Sequence, residues 1–202
     1  MKGEKFIGER LIISIIDKPS DENILTNCYY HWSGYTDSAL MLVSTCIATY
    51  EANKSKCDDK KALAIKMLES TGAGLYKNDT EEYVKLKFLN PKCPCLKISD
   101  NSSDGLIAVS QDEIQGNCDA GEEYAYIFLD TETVDFQACY IYDQEDLKNL
   151  DEDGIRVEDL PEIDFYDINE IPFKDFGIFA AQASNSGYCF RLKDGTVIGK
   201  IA

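Results

Sequence analysis

The sequence RLIISII at residues 10–16 decides the fold, because it is short, rich in β-branched residues and apolar on both faces of a strand. A strand of this kind belongs at the centre of a sheet, where both of its faces are covered. Residues 17–23 have the composition of a turn, and residues 24–32 can return as the second arm of a hairpin. We therefore expect a sheet built outward from a central strand that runs from Phe6 to Ile16.

Two helices are predicted after this hairpin. Apolar residues recur at three- and four-residue spacing up to Lys54, which indicates a helix with one face on the sheet. Thr36 or Asp37 can cap its beginning. A second helix is expected to open at Asp58 and to end at the glycine-containing residues 72–74.

The remaining pattern predicts further strands and defines the fold class. A C-terminal hairpin is expected around an Asp194-Gly195 turn, and alternating or apolar runs predict strands at residues 82–89, 105–109, 122–129 and 133–142. We expect one α+β domain over residues 1–202, with a mostly antiparallel sheet of about six to eight strands and two helices packed on one face. Residues 143–175 are expected to be an acidic insertion or a partner-facing segment.

The composition indicates a chain with a real hydrophobic core. Of 202 residues, 44% are hydrophobic, which is enough to exclude global disorder. The N-terminus lacks the pattern of a signal peptide, and no apolar run reaches the roughly 20 residues of a membrane helix. We therefore expect a cytoplasmic protein. Its eight cysteines are irregularly spaced and several lie in apolar patterns, which favours buried thiols over disulfides.

The net charge of −17 is concentrated in one part of the chain. Residues 1–118 carry 17 acids and 14 bases, whereas residues 119–175 carry 19 acids and only three bases. Such a field repels nucleic acid and anionic membranes and favours a basic protein surface, although it is also typical of a merely acidic, solvated surface. The candidate partner-binding residues are Asp143, Glu145, Asp146, Asp151, Glu152, Asp153, Glu158 and Asp159.

The aromatic sequence YYHWSGY at residues 29–35 holds the only histidine and the only tryptophan of the chain. Its rings offer stacking faces together with polar tips, which suit a planar ligand such as a nucleobase. The same residues are also typical of a structural plug at the junction of a strand and a helix, which is the interpretation that we slightly favour. The candidate ligand-binding residues are Tyr30, His31, Trp32 and Tyr35.

No catalytic, metal or cofactor constellation is predicted. A single histidine excludes most zinc sites, and Cys93-Pro94-Cys95 has too short a spacing for a zinc knuckle. The sequence contains no Gly-x-Ser-x-Gly elbow and no phosphate-binding loop. The paired carboxylates lack the spacing of a calcium loop, so they are interpreted as solvated charge. These observations disfavour an enzyme.

The residues His31-Trp32-Ser33-Gly34-Tyr35 resemble a motif of a group of proteins from phages and bacterial mobile elements. That motif reads His-Trp-Asp-Gly-Tyr and is usually followed by proline, whereas this chain has Ser33 and Thr36 at those two positions. Residues 105–109 and 130–136 also look similar, and the resemblance covers roughly half of the chain. The group has no established activity, so the resemblance implies a mobile-element context. The absence of the aspartate argues against a shared acid–base mechanism.

Three hypotheses about function follow. The first is a non-enzymatic acidic inhibitor that occupies a basic site on a host defence or nucleic-acid-processing protein, without contacting nucleic acid or membrane directly. The second is a small-ligand protein or hydrolase that binds a nucleotide-like molecule at the rim formed by His31, Trp32 and Tyr35. The third is a structural accessory protein in which this aromatic stretch is only core.

Overall fold

The computed structural model describes residues 10–18, 24–33, 36–77, 97–101, 103–108, 123–137, 169–186, 189–191 and 197–199. The strands are β1 (Leu11–Ile16), β2 (Ile24–Tyr30), β3 (Gly74–Tyr76), β4 (Ile98–Ser99), β5 (Leu106–Ala108), β6 (Glu123–Phe128), β7 (Thr133–Gln137), β8 (Asn169–Pro172), β9 (Cys189–Arg191) and β10 (Val197–Gly199). The helices are α1 (Thr36–Asn53), α2 (Lys60–Glu69) and α3 (Phe173–Ser186).

Strand β1 is the centre of the sheet, as its sequence predicts. All six of its residues are buried. It pairs antiparallel with β2 on one side and parallel with β6 on the other, over the whole of its length in both cases. The predicted hairpin of β1 and β2 is therefore confirmed, and the described strand begins at Leu11, directly after Arg10.

The main sheet has eight strands in the order β4-β3-β5-β2-β1-β6-β7-β8. Four neighbouring pairs are antiparallel, and three are parallel, namely β1–β6, β3–β5 and β3–β4. The α+β class and the mostly antiparallel sheet are confirmed. The parallel pairing of β1 with β6 was not anticipated, because hydrophobic alternation predicts a strand without predicting its neighbour. The predicted C-terminal hairpin is present as a separate antiparallel pair, β9–β10.

The two faces of β1 have different surroundings. Successive side chains of a strand point to opposite faces, so Leu11, Ile13 and Ile15 share one face. These three residues belong to one hydrophobic cluster that also contains the buried side chains of α1, α2 and α3. We call the opposite side, which carries Ile12 and Ser14, the second face. Ile12 packs there in a smaller cluster with Tyr29 and Ala108 from the neighbouring strands.

The predicted helix between Thr36 and Lys54 is confirmed as α1, whereas the second helix begins later than expected. Asp59, rather than Asp58, is the N-cap residue of α2, and its carboxylate accepts a hydrogen bond from the backbone N–H of Ala62 at 3.0 Å. The extended backbone of Asp59 allows this contact with an otherwise unpaired N–H of the first turn. Both aspartates have the chemistry of a cap, so composition alone does not choose between them.

The helix α3 was not predicted. Phe176 and Phe179 of this helix are buried, and the ring of Phe176 lies 6.3 Å from that of Phe136 on β7. The strand β8 and the first turn of α3 occupy residues 169–175, the end of the range expected to be an acidic insertion. The prolines and acids in that range are typical of a loop, so the sequence pattern did not predict a short strand that leads directly into a helix. The predicted strand at 82–89 and residues 143–168 lie outside the described part of the chain.

The cysteines that the structure describes in full agree with the expectation of buried thiols. Cys28, Cys46 and Cys57 are buried and form no disulfide. The thiol of Cys46 donates to the backbone carbonyl of Met67, which ties α1 to α2. Burial raises the pKa of the Cys46 thiol far above its usual range, so this cysteine packs as a small hydrophobic residue.

Gly105 lies directly before β5, where the chain packs closely against the core, so a substitution of this residue tests that packing. Its φ is +96°, and a Cβ atom there would meet the Tyr30 ring at 2.5 Å and the Cβ of Ala73 at 2.8 Å. We predict that Gly105→Ala lowers the free energy of unfolding by about 1–3 kcal/mol through strain and overpacking. Gly177 in α3 has nothing within 4 Å of such an atom, so Gly177→Ala should be neutral or stabilising. Equal stability of the two variants in denaturant titrations would contradict this packing.

Candidate functional site

The alternation of side chains along β2 separates two neighbouring tyrosines. Tyr29 pairs with Ile12 and lies on the second face, whereas Tyr30 pairs with Leu11 and points into the main core. The strand ends at Tyr30, so His31 and Trp32 follow it at the edge of the described strand. The aromatic stretch is thus divided between the core, the second face and the surface.

Tyr30 belongs to the core and not to an exposed rim. Its side chain is 1% exposed, and its hydroxyl lies 2.5 Å from the hydroxyl of Thr71. Thr71 donates its own proton to the carbonyl of Leu68, so Tyr30 is the donor in the bond between the two hydroxyls. Burial raises the pKa of Tyr30 well above its ordinary value, with a smaller contribution from the Cys28 and Cys46 thiols. This tyrosine therefore stays neutral and stabilises the packing of β2 against the end of α2.

His31 is oriented by its neighbour on the second face. The hydroxyl of Tyr29 lies 2.7 Å from Nδ1 of His31, and the imidazole is partly buried. A tyrosine hydroxyl can serve Nδ1 as donor or as acceptor, according to the tautomer of the ring. The Nε2 atom is then the nitrogen that His31 presents away from Tyr29.

Trp32 lies at the surface beside this imidazole. Its side chain is 49% exposed, although tryptophan is one of the largest apolar side chains. The rings of His31 and Trp32 meet edge to face, with centroids 4.7 Å apart and an interplanar angle of 85°. This geometry fixes the indole against the imidazole and leaves a large part of the indole accessible for stacking. Tyr35, the fourth candidate of the rim, lies outside the described residues.

Arg10 is a residue of this region that the sequence reading did not single out. It immediately precedes β1, and extending the antiparallel register by one residue beyond the Leu11–Tyr30 pair places it opposite His31. Its Nε atom is shielded from solvent and has no hydrogen-bond partner in the described part of the chain. The predicted β1–β2 hairpin is the sequence signal that could have placed Arg10 near His31. In an antiparallel hairpin, the first residue of one arm lies opposite the last residue of the other.

A row of polar residues crosses the second face at the level of Ser14. Ser14 is flanked by Asn27 on β2 and Tyr126 on β6, and Tyr126 pairs with Asp135 on β7. The hydroxyl of Ser14 donates to the Asn27 side-chain oxygen at 2.6 Å, and both residues are buried. A satisfied polar pair of this kind specifies the register of the central strands, because a slip would leave both groups unpaired.

The candidate partner-binding acids at residues 143–159 lie outside the described part of the chain. Within residues 119–175, Glu132 is described, and it occupies the β6–β7 turn with a φ of +52°. Lys54 of α1 bridges it at 2.8 Å and also contacts Glu51 at 2.9 Å. The hydrogen bonds that Lys54 donates to the carboxylates of Glu132 and Glu51 raise the pKa of Lys54, which keeps it a cation. This lysine therefore serves to tie the turn to α1.

Metal-ligand groups and membrane-spanning helices are both absent from the described part of the chain. No group of three or more histidine, cysteine or acidic side chains in these segments is arranged to hold a metal ion. None of the three helices is both long enough and apolar enough to span a membrane.

Comparison of the chain with known proteins yields no matching family model, no matching curated protein and no matching solved structure. No function is therefore transferred to this chain from a similar protein.

The buried hydroxyl of Tyr30 predicts a pH dependence. Because its pKa is raised in the folded chain, its contribution to stability is complete below about pH 10, the ordinary value, and is lost as pH rises above it. The free energy of unfolding of the wild type should therefore fall relative to Tyr30→Phe by up to about 1.4 kcal/mol per pH unit. Urea titrations of both proteins from pH 7 to 11 measure this, and a constant difference would contradict the core position of Tyr30.

The contact between Tyr29 and His31 predicts a spectroscopic change. The chain has one histidine, so the imidazole nitrogens give a single, assignable pair of ¹⁵N resonances. Tyr29→Phe removes the partner of Nδ1 and should redistribute the imidazole tautomers, with a clear change in both ¹⁵N shifts. Tyr30→Phe is the control, because its hydroxyl bonds to Thr71 and should leave these resonances nearly unchanged. Identical spectra of wild type and Tyr29→Phe would show that this hydrogen bond is absent in solution.

Proposed function

We propose that the chain is a non-enzymatic acidic binding protein, encoded by a phage or mobile element, that inhibits a host protein by occupying a basic site on it. The natural targets are cytoplasmic proteins of host defence or nucleic-acid processing, whose basic sites normally receive phosphates. The observation that carries this proposal is the charge of residues 119–175, which hold 19 acids and three bases.

The three bases of residues 119–175 are too few to neutralise the 19 acids of the same segment. The bases of the described body are partly engaged with acids close to them, as Lys54 is with Glu51 and Glu132, and Lys60 with Asp17. Residues 1–118 carry 17 acids and 14 bases, so they hold no excess of cations. The acids of residues 143–159 are therefore left to solvent counterions or to a basic partner, and the partner gains from the release of its own bound anions.

The mode of action would be electrostatic. An array of carboxylates resembles a phosphate backbone in sign and density, so it is attracted to surfaces that bind nucleic acid. Complementary fields accelerate encounter and impose a strong dependence on ionic strength. The resemblance of residues 31–35 to a motif of mobile-element proteins supports the host-directed context of the proposal.

A second candidate function is the binding of a nucleotide-like small ligand next to His31. The observation that favours it is the large exposed area of Trp32, held in place by its edge contact with the imidazole. Tyr30 contributes no contact in the described geometry because its ring and hydroxyl are in the core. This candidate predicts that Trp32→Ala abolishes a thermal shift produced by a nucleotide.

The acidic segment is tested by two matched variants. The first reverses three acids within it, Asp151→Lys, Asp153→Lys and Asp159→Lys. The control reverses three exposed aspartates of the balanced body, and it comprises Asp58→Lys, Asp100→Lys and Asp104→Lys. Both variants change the net charge equally, so they separate the position of the charge from its amount. The immobilised wild type first captures partners from bacterial lysate, and surface plasmon resonance then gives each affinity.

We expect the first variant to weaken binding of a captured partner by at least about tenfold and the control by less than about threefold. Binding of the wild type should also weaken strongly as salt rises from about 50 to about 300 mM, because the Debye length shortens. Equal affinities for wild type and the first variant, or an affinity insensitive to salt, would overturn the proposal.

A further inference from the structure

Arg10 and His31 occupy the next position on each strand beyond the last pair of the β1–β2 ladder, Leu11 with Tyr30. The register pairs Leu11 with Tyr30, so the next position in each direction brings Arg10 beside His31. Tyr29 and Ile12 share the second face, and the hydrogen bond between the Tyr29 hydroxyl and Nδ1 of His31 brings the imidazole to that same side. The extended register therefore places a guanidinium and an imidazole at the same end of the central hairpin.

Among the described residues, Nε of Arg10 has no acceptor, and Tyr29 engages one of the two ring nitrogens of His31. The Nε atom of Arg10 is buried and has no acceptor in the described part of the chain. A guanidinium presents Nε and one terminal nitrogen on the same edge, and this edge matches two oxygens of a carboxylate or phosphate. A buried donor without an acceptor is unfavourable, so an oxyanion that engages this edge removes a cost already present in the folded chain. The Arg10 side chain must turn for this contact, because Nε is shielded from solvent in the unliganded chain. When the Tyr29 hydroxyl donates to Nδ1, Nε2 of His31 carries the ring proton and can add a third donor.

The indole of Trp32 lies within the same small region. Its ring centroid is 4.7 Å from that of His31, and half of its side chain is exposed. An exposed indole face stacks on planar heterocycles without strong preference among bases. The combination of a stacking face with an oxyanion edge fits a ligand that joins a base to a phosphate through a sugar.

We propose that Arg10, His31 and Trp32 form a binding site for a nucleoside monophosphate, with the phosphate held by Arg10 and His31 and the base stacked on Trp32. The proposal rests on the second candidate function and adds to it the anion-binding residue and the class of ligand. It is independent of the acidic segment, so the two surfaces can be tested separately.

Isothermal titration calorimetry with three probes tests the site in the wild type. The probes are adenosine 5′-monophosphate, adenosine and inorganic phosphate. The proposal expects the monophosphate to bind at least about tenfold more tightly than either fragment, because it alone uses both the stacking face and the oxyanion edge. This comparison needs no variant and is unaffected by any folding defect.

Variants then assign the contacts. Arg10→Gln should weaken the monophosphate at least about tenfold and leave adenosine unchanged, whereas Trp32→Ala should weaken both. Arg10→Lys keeps the charge but loses the planar fork, so it should give only partial recovery. Lys18→Gln is the charge-matched control, since Lys18 is exposed just beyond the other end of β1, and it should alter affinity by less than about twofold.

Each remaining outcome overturns a defined part of the proposal. Equal affinities for the monophosphate and adenosine would retain a stacking site and reject the anion site at Arg10. Equal affinities for the monophosphate and inorganic phosphate would reject the role of Trp32. Absence of binding for all three probes would reject both this site and the second candidate function, while the acidic-inhibitor proposal would stand unaffected.

Discussion

The burial of β1 on both faces is the constraint on which the rest of the structure depends. Its six residues pair without interruption with β6 on one side, and with β2 on the other up to a bulge at Ile16. A slip by one residue would bring Ser14 into the hydrophobic cluster and would break its bond to Asn27. The apolar and polar positions of this one strand therefore fix the register of its neighbours.

This register also assigns different roles to residues that are adjacent in sequence. Tyr30 completes the core against Thr71, whereas Tyr29 turns to the second face and orients His31. The strand ends there, so Trp32 is left at the surface. Among the described residues, the proposed ligand contact is thus narrower than the composition of the aromatic stretch indicates, and we propose that Arg10, directly before β1, completes it.

The sequence predicts individual strands and helices well, but it predicts less well which strands pair with one another in the sheet. The central strand, the β1–β2 hairpin, α1 and the β6–β7 hairpin follow from periodicity and turn residues close in the chain. The parallel pairing of β1 with β6 depends on contacts more than a hundred residues apart, for which periodicity carries no signal. The helix α3 was missed because its beginning lies within an acidic, proline-containing stretch. Arg10 was not predicted as a site residue, because a single charged residue before an apolar strand is ordinarily interpreted as a solvent-exposed strand end.

We propose two alternative contacts for this protein, and the charge distribution favours the acidic residues 143–159 over the aromatic end of β2. The proposed partner site is electrostatic, whereas the site at His31 depends on stacking and a directed oxyanion contact. Hydrogen exchange of the chain, alone and in complex with a partner captured from bacterial lysate, distinguishes them most directly. The account predicts that exchange slows in the amides of residues 143–159. Protection confined to the amides around His31 and Trp32 would contradict it.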